Sequence, residues 1–262
     1  MITYQEIRIS WKKRAARIHL PLLVFASAAI TVLAGPALAQ ERPKVVAELF
    51  TSQGCSSCPP ADKLLKELAT DSDILALTLN VDYWDYLGWK DTLGEPAHSE
   101  RQRLYAARRG DRSVYTPQIV VNGNEHVVGS RKGDVMSALK RADPFSATVE
   151  VSMTDMGLKT TVDGTLPEGT KMATVFFLRI RESEQVDIGR GENTGRQITY
   201  VNIAQPVQPI GMWSGGKATF RMPKSEMVKN GATRCAVLIQ LEDETGPGRI
   251  IGAGVMQWDA KS

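Results

Sequence analysis

Apolar and polar positions along residues 45 to 142 switch repeatedly between short and helical periods, which predicts strands and helices in alternation. Val45 to Phe50 is an apolar run of strand length, followed by a helix from Pro59 or Pro60 to Leu68 and a second apolar run from Ile74 to Val81. Another helix begins between Pro96 and Ser99 and reaches Arg109. Gln118 to Asn122 and His126 to Val128 read as short strands around an Asn122-Gly123 turn, and a last helix spans Lys132 to Arg141 before Pro144 stops it. Such alternation builds α/β layers.

From Ala147 onward the pattern changes. Short apolar or alternating runs recur between Gly, Pro, Asn and Asp turns: Ala147 to Met153, Leu158 to Val162, Met172 to Ile180, Ile198 to Ile203, Ala218 to Met222, Cys235 to Leu241 and Ile250 to Trp258. A helical period is hinted at only around Lys224 to Lys229. Seven short strands predict an all-β, sandwich-like domain over residues 145–262, after an α/β domain over residues 40–144.

The first 39 residues stand apart. Lys12, Lys13, Arg14 and Arg17 form a basic region, Leu20 to Ala34 an apolar one, and Ala37-Leu38-Ala39 a small-residue cleavage site before Gln40. This is the architecture of a secretory signal peptide, and the apolar stretch, broken by Pro21, is short of the roughly 20 residues that span a bilayer. The expected location is periplasmic or secreted, with no membrane association after cleavage. The leader carries five of the chain's 32 Lys and Arg and one of its 29 Asp and Glu, so the remainder holds 27 basic and 28 acidic residues. A near-neutral protein gives no reason to expect nucleic acid as a partner.

Three cysteines, Cys55, Cys58 and Cys235, all follow the leader, where an oxidising compartment admits disulfide chemistry. Cys55 and Cys58 sit where a strand pattern gives way to a helix pattern. A cysteine at a helix N-terminus meets unsatisfied N–H groups and the positive end of the helix dipole, so its thiolate is favoured. Cys55 is the candidate nucleophile and Cys58 its resolving partner; a permanently closed structural bridge is the bland alternative. Cys235 lies in an apolar run and reads as a buried thiol. A closed zinc site needs four N or S ligands, and only Cys55, Cys58, Cys235, His98 and His126 are on offer, so neither a metal nor a cofactor is expected. Copper(I), which two thiolates can hold, is the remaining metal alternative.

The strand–Cys-x-x-Cys–helix order, followed some sixty residues later by Tyr115-Thr116-Pro117-Gln118, resembles the thioredoxin superfamily. That resemblance makes the first domain a thioredoxin-like one. It implies a cis peptide at Thr116-Pro117 beside the cysteines, with Thr116 and Pro117 shaping a substrate groove. It also implies a buried acid that relays a proton to the resolving cysteine, a role for which Glu48, on the first strand, is the candidate. Longer blocks, among them Glu48 to Asp62, Val81 to Asp91, Arg101-Gln102-Arg103 and Arg190-Gly191-Glu192-Asn193, are similar to a secreted bacterial family of unknown function that pairs a thioredoxin-like domain with a β-rich one. Asn80 departs from that pattern, standing where a histidine is expected.

Three functions fit. The first is a periplasmic thiol–disulfide oxidoreductase acting on protein substrates through Cys55, Cys58, Thr116, Pro117 and Glu48. The second is a non-catalytic binding module with a structural bridge, and the third a copper(I)-handling protein. The aromatic run Tyr83, Trp84, Tyr86 and Trp89 reads as a lid or partner platform, or as packing. The loop from Gly189 to Arg196 reads as a carboxylate or partner grip, or as a solvated turn. Oligomeric state is left open.

Overall fold

The computed structural model describes residues 40–258. The leader read from residues 1–39 lies outside them. In chain order the elements are β1 (Gln40–Glu41), β2 (Val45–Thr51), α1 (Pro59–Leu68), β3 (Ile74–Asn80), α2 (Pro96–Arg109), β4 (Gln118–Val121), β5 (Glu125–Val128) and α3 (Lys132–Arg141). They continue with β6 (Ala147–Thr154), β7 (Gly157–Gly164), β8 (Ala173–Asp187), β9 (Gln197–Ala204), β10 (Gln208–Trp213), β11 (Ala218–Pro223), the short α4 (Lys224–Met227), β12 (Arg234–Asp243) and β13 (Gly246–Gln257). None of the described helices is long and apolar enough to cross a membrane.

The expectation of a thioredoxin-like α/β domain followed by a β-sandwich-like domain is corrected here. The described chain is mostly β, and one ten-stranded mixed sheet, ordered β1-β13-β12-β8-β9-β3-β2-β4-β5 with β10 against β8, runs through both halves; β11-β7-β6 form a second sheet of three strands. The seam is the β3–β9 pair. β3 runs parallel to β2 along its whole length, from Val45↔Ile74 to Thr51↔Asn80, and its other edge takes β9 in parallel at Thr78↔Ile203. Thr78 Oγ1 donates to Val201 O at 2.6 Å and Asn202 Nδ2 to Ala76 O at 2.9 Å, so side chains fasten a seam with little ladder of its own. An unpaired β3 edge would expose a row of backbone donors and acceptors, and β9 covers it.

Side-chain parity on β2 decides what reaches each face of the sheet. Val45, Ala47 and Leu49 point toward α1 and α3, where they pack with Leu64, Leu65, Leu68, Ile119 and Val135. Each leucine so buried contributes on the order of 2 kcal/mol. Val46 and Phe50 point the other way, into a core shared with Tyr105 of α2, Phe176 of β8 and Leu238 of β12. The three-stranded sheet closes over β8, β12 and β13 through Val149, Val162, Phe177, Val237 and Trp213. Both halves of the sequence therefore share one core, which a reading of local periods does not reveal.

Candidate functional site

β2 ends at Thr51, and residues 52–58 form a tight turn into α1. Cys55 N donates to Ser52 O and Cys58 N to Cys55 O, both at 3.2 Å. The turn sits close under Trp84: a Cβ added at Gly54 would lie 3.1 Å from Trp84 Cβ. Cys55 and Cys58 are both unbridged thiols and both buried, at 2% and 0% exposure, beneath exposed Ser56 and Ser57. Cys58 is the N-cap of α1, with Pro59 and Pro60 in its first turn. Two prolines there remove two of the N–H groups expected to stabilise a Cys55 thiolate, because proline has no backbone donor.

Other donors replace them. The Cys55 thiol is drawn down to about 6, chiefly by a hydrogen bond from the Cys58 thiol and further by the Ser57 hydroxyl and N–H and by Thr116, against the opposing effect of burial. Cys55 Sγ lies 3.3 Å from Ser57 Oγ and 3.8 Å from Thr116 O. Thr116 Oγ1 accepts from Trp84 Nε1 at 2.8 Å, which leaves its own proton free for sulfur. The Thr116–Pro117 peptide is cis and Pro117 is buried. Cys58 is pushed strongly upward, first by burial and then by Cys55. The two thiols are thus split into a readily ionised one and a firmly protonated one.

A carboxyl group stands behind the pair. Asp62, four residues after Cys58 and hence one turn further along α1, is buried, and burial raises its acid to about 8. Its Oδ1 accepts from Thr51 Oγ1 at 2.7 Å; its Oδ2 has no protein partner. Asp91 lies nearby, its Oδ2 accepting from Gln53 N at 2.8 Å and Asn80 Nδ2 at 3.0 Å, so the asparagine in place of histidine serves as a donor to a carboxylate.

The far half of the chain closes over this turn. The loop between β8 and β9 brings in Asn193, fully buried, whose Nδ2 donates to both Gln53 O and Cys55 O at 2.9 Å. Glu192 Oε2 accepts from Ser56 N at 3.3 Å, and Gly189 and Gly191 pack on Trp89, whose Nε1 donates to Gln53 Oε1 at 2.8 Å. Arg190 and Arg196 stay exposed. On the other flank Tyr86, 78% exposed, stacks on Trp84 with ring centroids 6.5 Å apart. Among the described residues no cluster of three or more His, Cys, Asp or Glu side chains is arranged to hold a metal ion.

The sequence matches, over residues 46–240, the model of a family described as a protein of unknown function, DUF1223. The chain belongs to the DUF1223 family. This DUF1223 protein is also similar to a protein of Agrobacterium tumefaciens whose crystal structure was determined by X-rays in a structural genomics programme: the two are 34% identical, the match covers 84% of this chain and 97% of that one, and the TM-score is 0.72. No curated protein matches the chain.

Of the five residues singled out from the DUF1223 sequence, the structure brings four together: Cys55, Cys58, Thr116 and Pro117. Glu48 is elsewhere. It shares the parity of Val46 and Phe50 on β2 and points to the α2 face, where Arg101 Nε donates to its Oε1 and Tyr105 Oη to its Oε2, both at 2.7 Å. Asp62, with Asp91 near it, is buried on the cysteine side. Its signal was in the sequence, since positions four apart share a helix face; Asn193 lies in the loop that the sequence marks as distinctive, but its place beside the cysteine turn, more than a hundred residues away, is not encoded locally. Cys235, within β12, is buried and its thiol is pushed up to about 12 by burial.

Proposed function

We propose that this protein is a thiol–disulfide oxidoreductase of the periplasm, acting on protein thiols and disulfides through Cys55 and Cys58. The observation that carries the reading is a pair of buried, unbridged thiols at the start of α1, one of them 3.8 Å from Thr116 O and 3.3 Å from Ser57 Oγ, beside a buried carboxyl with one oxygen unpaired; the opposite tuning of the two thiols agrees with it. Perturbed groups gathered in one place are the mark of reactive sites. The leader architecture of residues 1–39 supports the location.

In the reducing direction the Cys55 thiolate attacks one sulfur of a substrate disulfide, forming a mixed disulfide and releasing the other sulfur as thiolate. Cys58 then gives its proton to the Asp62 carboxylate and attacks Cys55 Sγ. The Cys55–Cys58 bridge forms, the second substrate sulfur leaves as thiolate, and the two electrons have passed from the cysteine pair to the substrate. Reversal oxidises a substrate dithiol. Thr116 and Ser57 steady the negative charge of the free Cys55 thiolate before it attacks, while Asn193 holds the turn.

The test is equilibration of the purified protein in glutathione buffers of graded redox poise, with Cys58→Ala used to trap Cys55 adducts. Reversible interconversion and a mixed disulfide on Cys55 are expected. A pair that stays oxidised or reduced across all poises, with no adduct on Cys55, would overturn the reading.

A further inference from the structure

Arg101, Gln102 and Arg103 stand in a row on α2, and the structure gives each a different setting. Arg103 is exposed, Arg101 pairs with Glu48, and Gln102 is fully buried. A buried amide is costly unless its donors and its acceptor are answered. Gln102 Nε2 donates to Tyr115 O at 2.8 Å and to Gln118 Oε1 at 3.0 Å, and Gln102 Oε1 accepts from Tyr83 Oη at 3.1 Å. A backbone carbonyl can only accept, which fixes Nε2 as the donating end. Gln118 Oε1 is then an acceptor, and Gln118 Nε2 donates to His126 Nδ1 at 3.0 Å, which holds His126 as the tautomer with its proton on Nε2, toward Asp111. These bonds fall on both sides of the Thr116–Pro117 pair. Residues 112–117 belong to no helix or strand and β4 begins only at Gln118, so Thr116 depends on side chains to hold it in place.

We propose that Gln102 is a positioning residue of the cysteine site: by bonding the chain at Tyr115 and at Gln118 it sets Thr116 between Trp84 and Cys55. The proposal rests on the oxidoreductase reading for its role in turnover, but not for its geometry. Trp84 Nε1 donates to Thr116 Oγ1 at 2.8 Å, and Thr116 is among the groups that draw the Cys55 thiol down. A hydroxyl supports a thiolate only while it is aimed at the sulfur, because hydrogen bonds weaken steeply as they bend. Without Gln102, Tyr115 O and Gln118 Oε1 lose this donor, the loop gains freedom, and the thiolate loses part of its support. The ionisable groups that face Cys55 are Cys58 and Asp62 from the start of α1, Tyr83 from the segment after β3, and Tyr200 of β9. Of these Tyr83 bonds Gln102, and burial keeps its phenol protonated, so replacing Gln102 removes hydrogen bonds without changing the charge around the sulfur.

The experiment is ultraviolet titration of thiolate in the reduced full chain, for the parent protein and for Gln102→Met, which keeps the length of the side chain and removes its hydrogen bonds. The Cys55 midpoint is expected to rise by about one unit, and alkylation of Cys55 at about pH 6 to slow several-fold. In a Thr116→Val background, which has already lost the hydroxyl, Gln102→Met should add no further rise. Should Gln102→Met fail to fold, Gln102→Asn, whose amide is one methylene too short to reach both Tyr115 and Gln118, should move the midpoint in the same direction. A glutamine that only holds the fold together would lower the urea midpoint of unfolding and leave the Cys55 titration where it was. That result, or a rise that adds in full to the one caused by Thr116→Val, would overturn the proposal. Because the titration requires no substrate, a protein that exchanges with no disulfide refutes the oxidoreductase reading while leaving the placement of Thr116 by Gln102 to stand or fall on its own.

Discussion

Two carboxyl groups are buried on opposite faces of β2, and their surroundings could hardly differ more. Around Glu48 every strong hydrogen-bonding group is answered: Arg101 bonds Glu48, Tyr105 and Gln240, Tyr105 bonds Glu48, and Gln240 bonds Tyr105 and Gly248 O, with distances from 2.6 to 3.0 Å. Around Asp62 one oxygen is bonded and the other is not, and among the described residues no basic side chain pairs with it. Burial with full compensation fixes structure; burial without it stores a displaced proton equilibrium that chemistry can use. The first cluster ties β2, α2 and β12 together, and the second lies beside the cysteines.

The largest effect should come from breaking the compensated side. Arg101→Ala strands a buried Glu48 carboxylate and should destabilise the protein by about 3–5 kcal/mol in urea unfolding. A loss under about 1 kcal/mol would mean that Glu48 has another charge partner and that the two acids are alike in their compensation.

Asp62→Asn sharpens the same contrast through pH. A carboxyl whose folded value, about 8, lies above its unfolded one contributes stability that is fully present below about pH 4 and is lost as pH rises to about 8. The variant lacks this slope, so its stability should fall less over that window than the parent's, by on the order of 5 kcal/mol, about four pH units at about 1.4 kcal/mol each. Parallel pH profiles would show that Asp62 titrates normally. Resolution of Cys55 adducts in the variant should slow by roughly a hundredfold, the usual worth of a positioned base.

Asn193→Ala removes both hydrogen bonds from the β8–β9 loop to the cysteine turn and should cost about 1–3 kcal/mol, with faster alkylation of Cys55 as the turn loosens. Cys235→Ala, at the other end of the scale, should cost about 1 kcal/mol and leave the Cys55 titration unmoved. A shift there would show that β12 communicates with the cysteine turn.

Much of this contrast is written in the chain, and part of it is not. The strand and helix positions of the first half follow directly from period and punctuation: α2 occupies Pro96–Arg109 and α3 Lys132–Arg141, where proline and apolar spacing place them. The Cys55–Cys58 pair was legible from its spacing, and its Thr116–Pro117 neighbour from the resemblance. Parity separates Glu48 from the cysteines, because alternation along β2 sends it to the face of Val46 and Phe50, away from α1. The single sheet was beyond reach, since a lone parallel bridge between Thr78 and Ile203 depends on pairing across 125 residues that no local pattern encodes. β8 shows the same limit: its apolar run ends at Ile180, yet pairing with β9 carries it to Asp187 through Arg181, Glu182, Ser183 and Glu184.

The central claim is that Cys55 is a thiolate at neutral pH because Cys58, Ser57 and Thr116 donate to it, and the most direct test is the ultraviolet absorbance of thiolate in the reduced protein as pH is raised. One thiolate should appear with a midpoint near 6 and be absent from a Cys55→Ser variant, with Cys58 and Cys235 silent well above neutrality. A first thiolate emerging only at about pH 8.5, where an unperturbed cysteine ionises, would contradict the account.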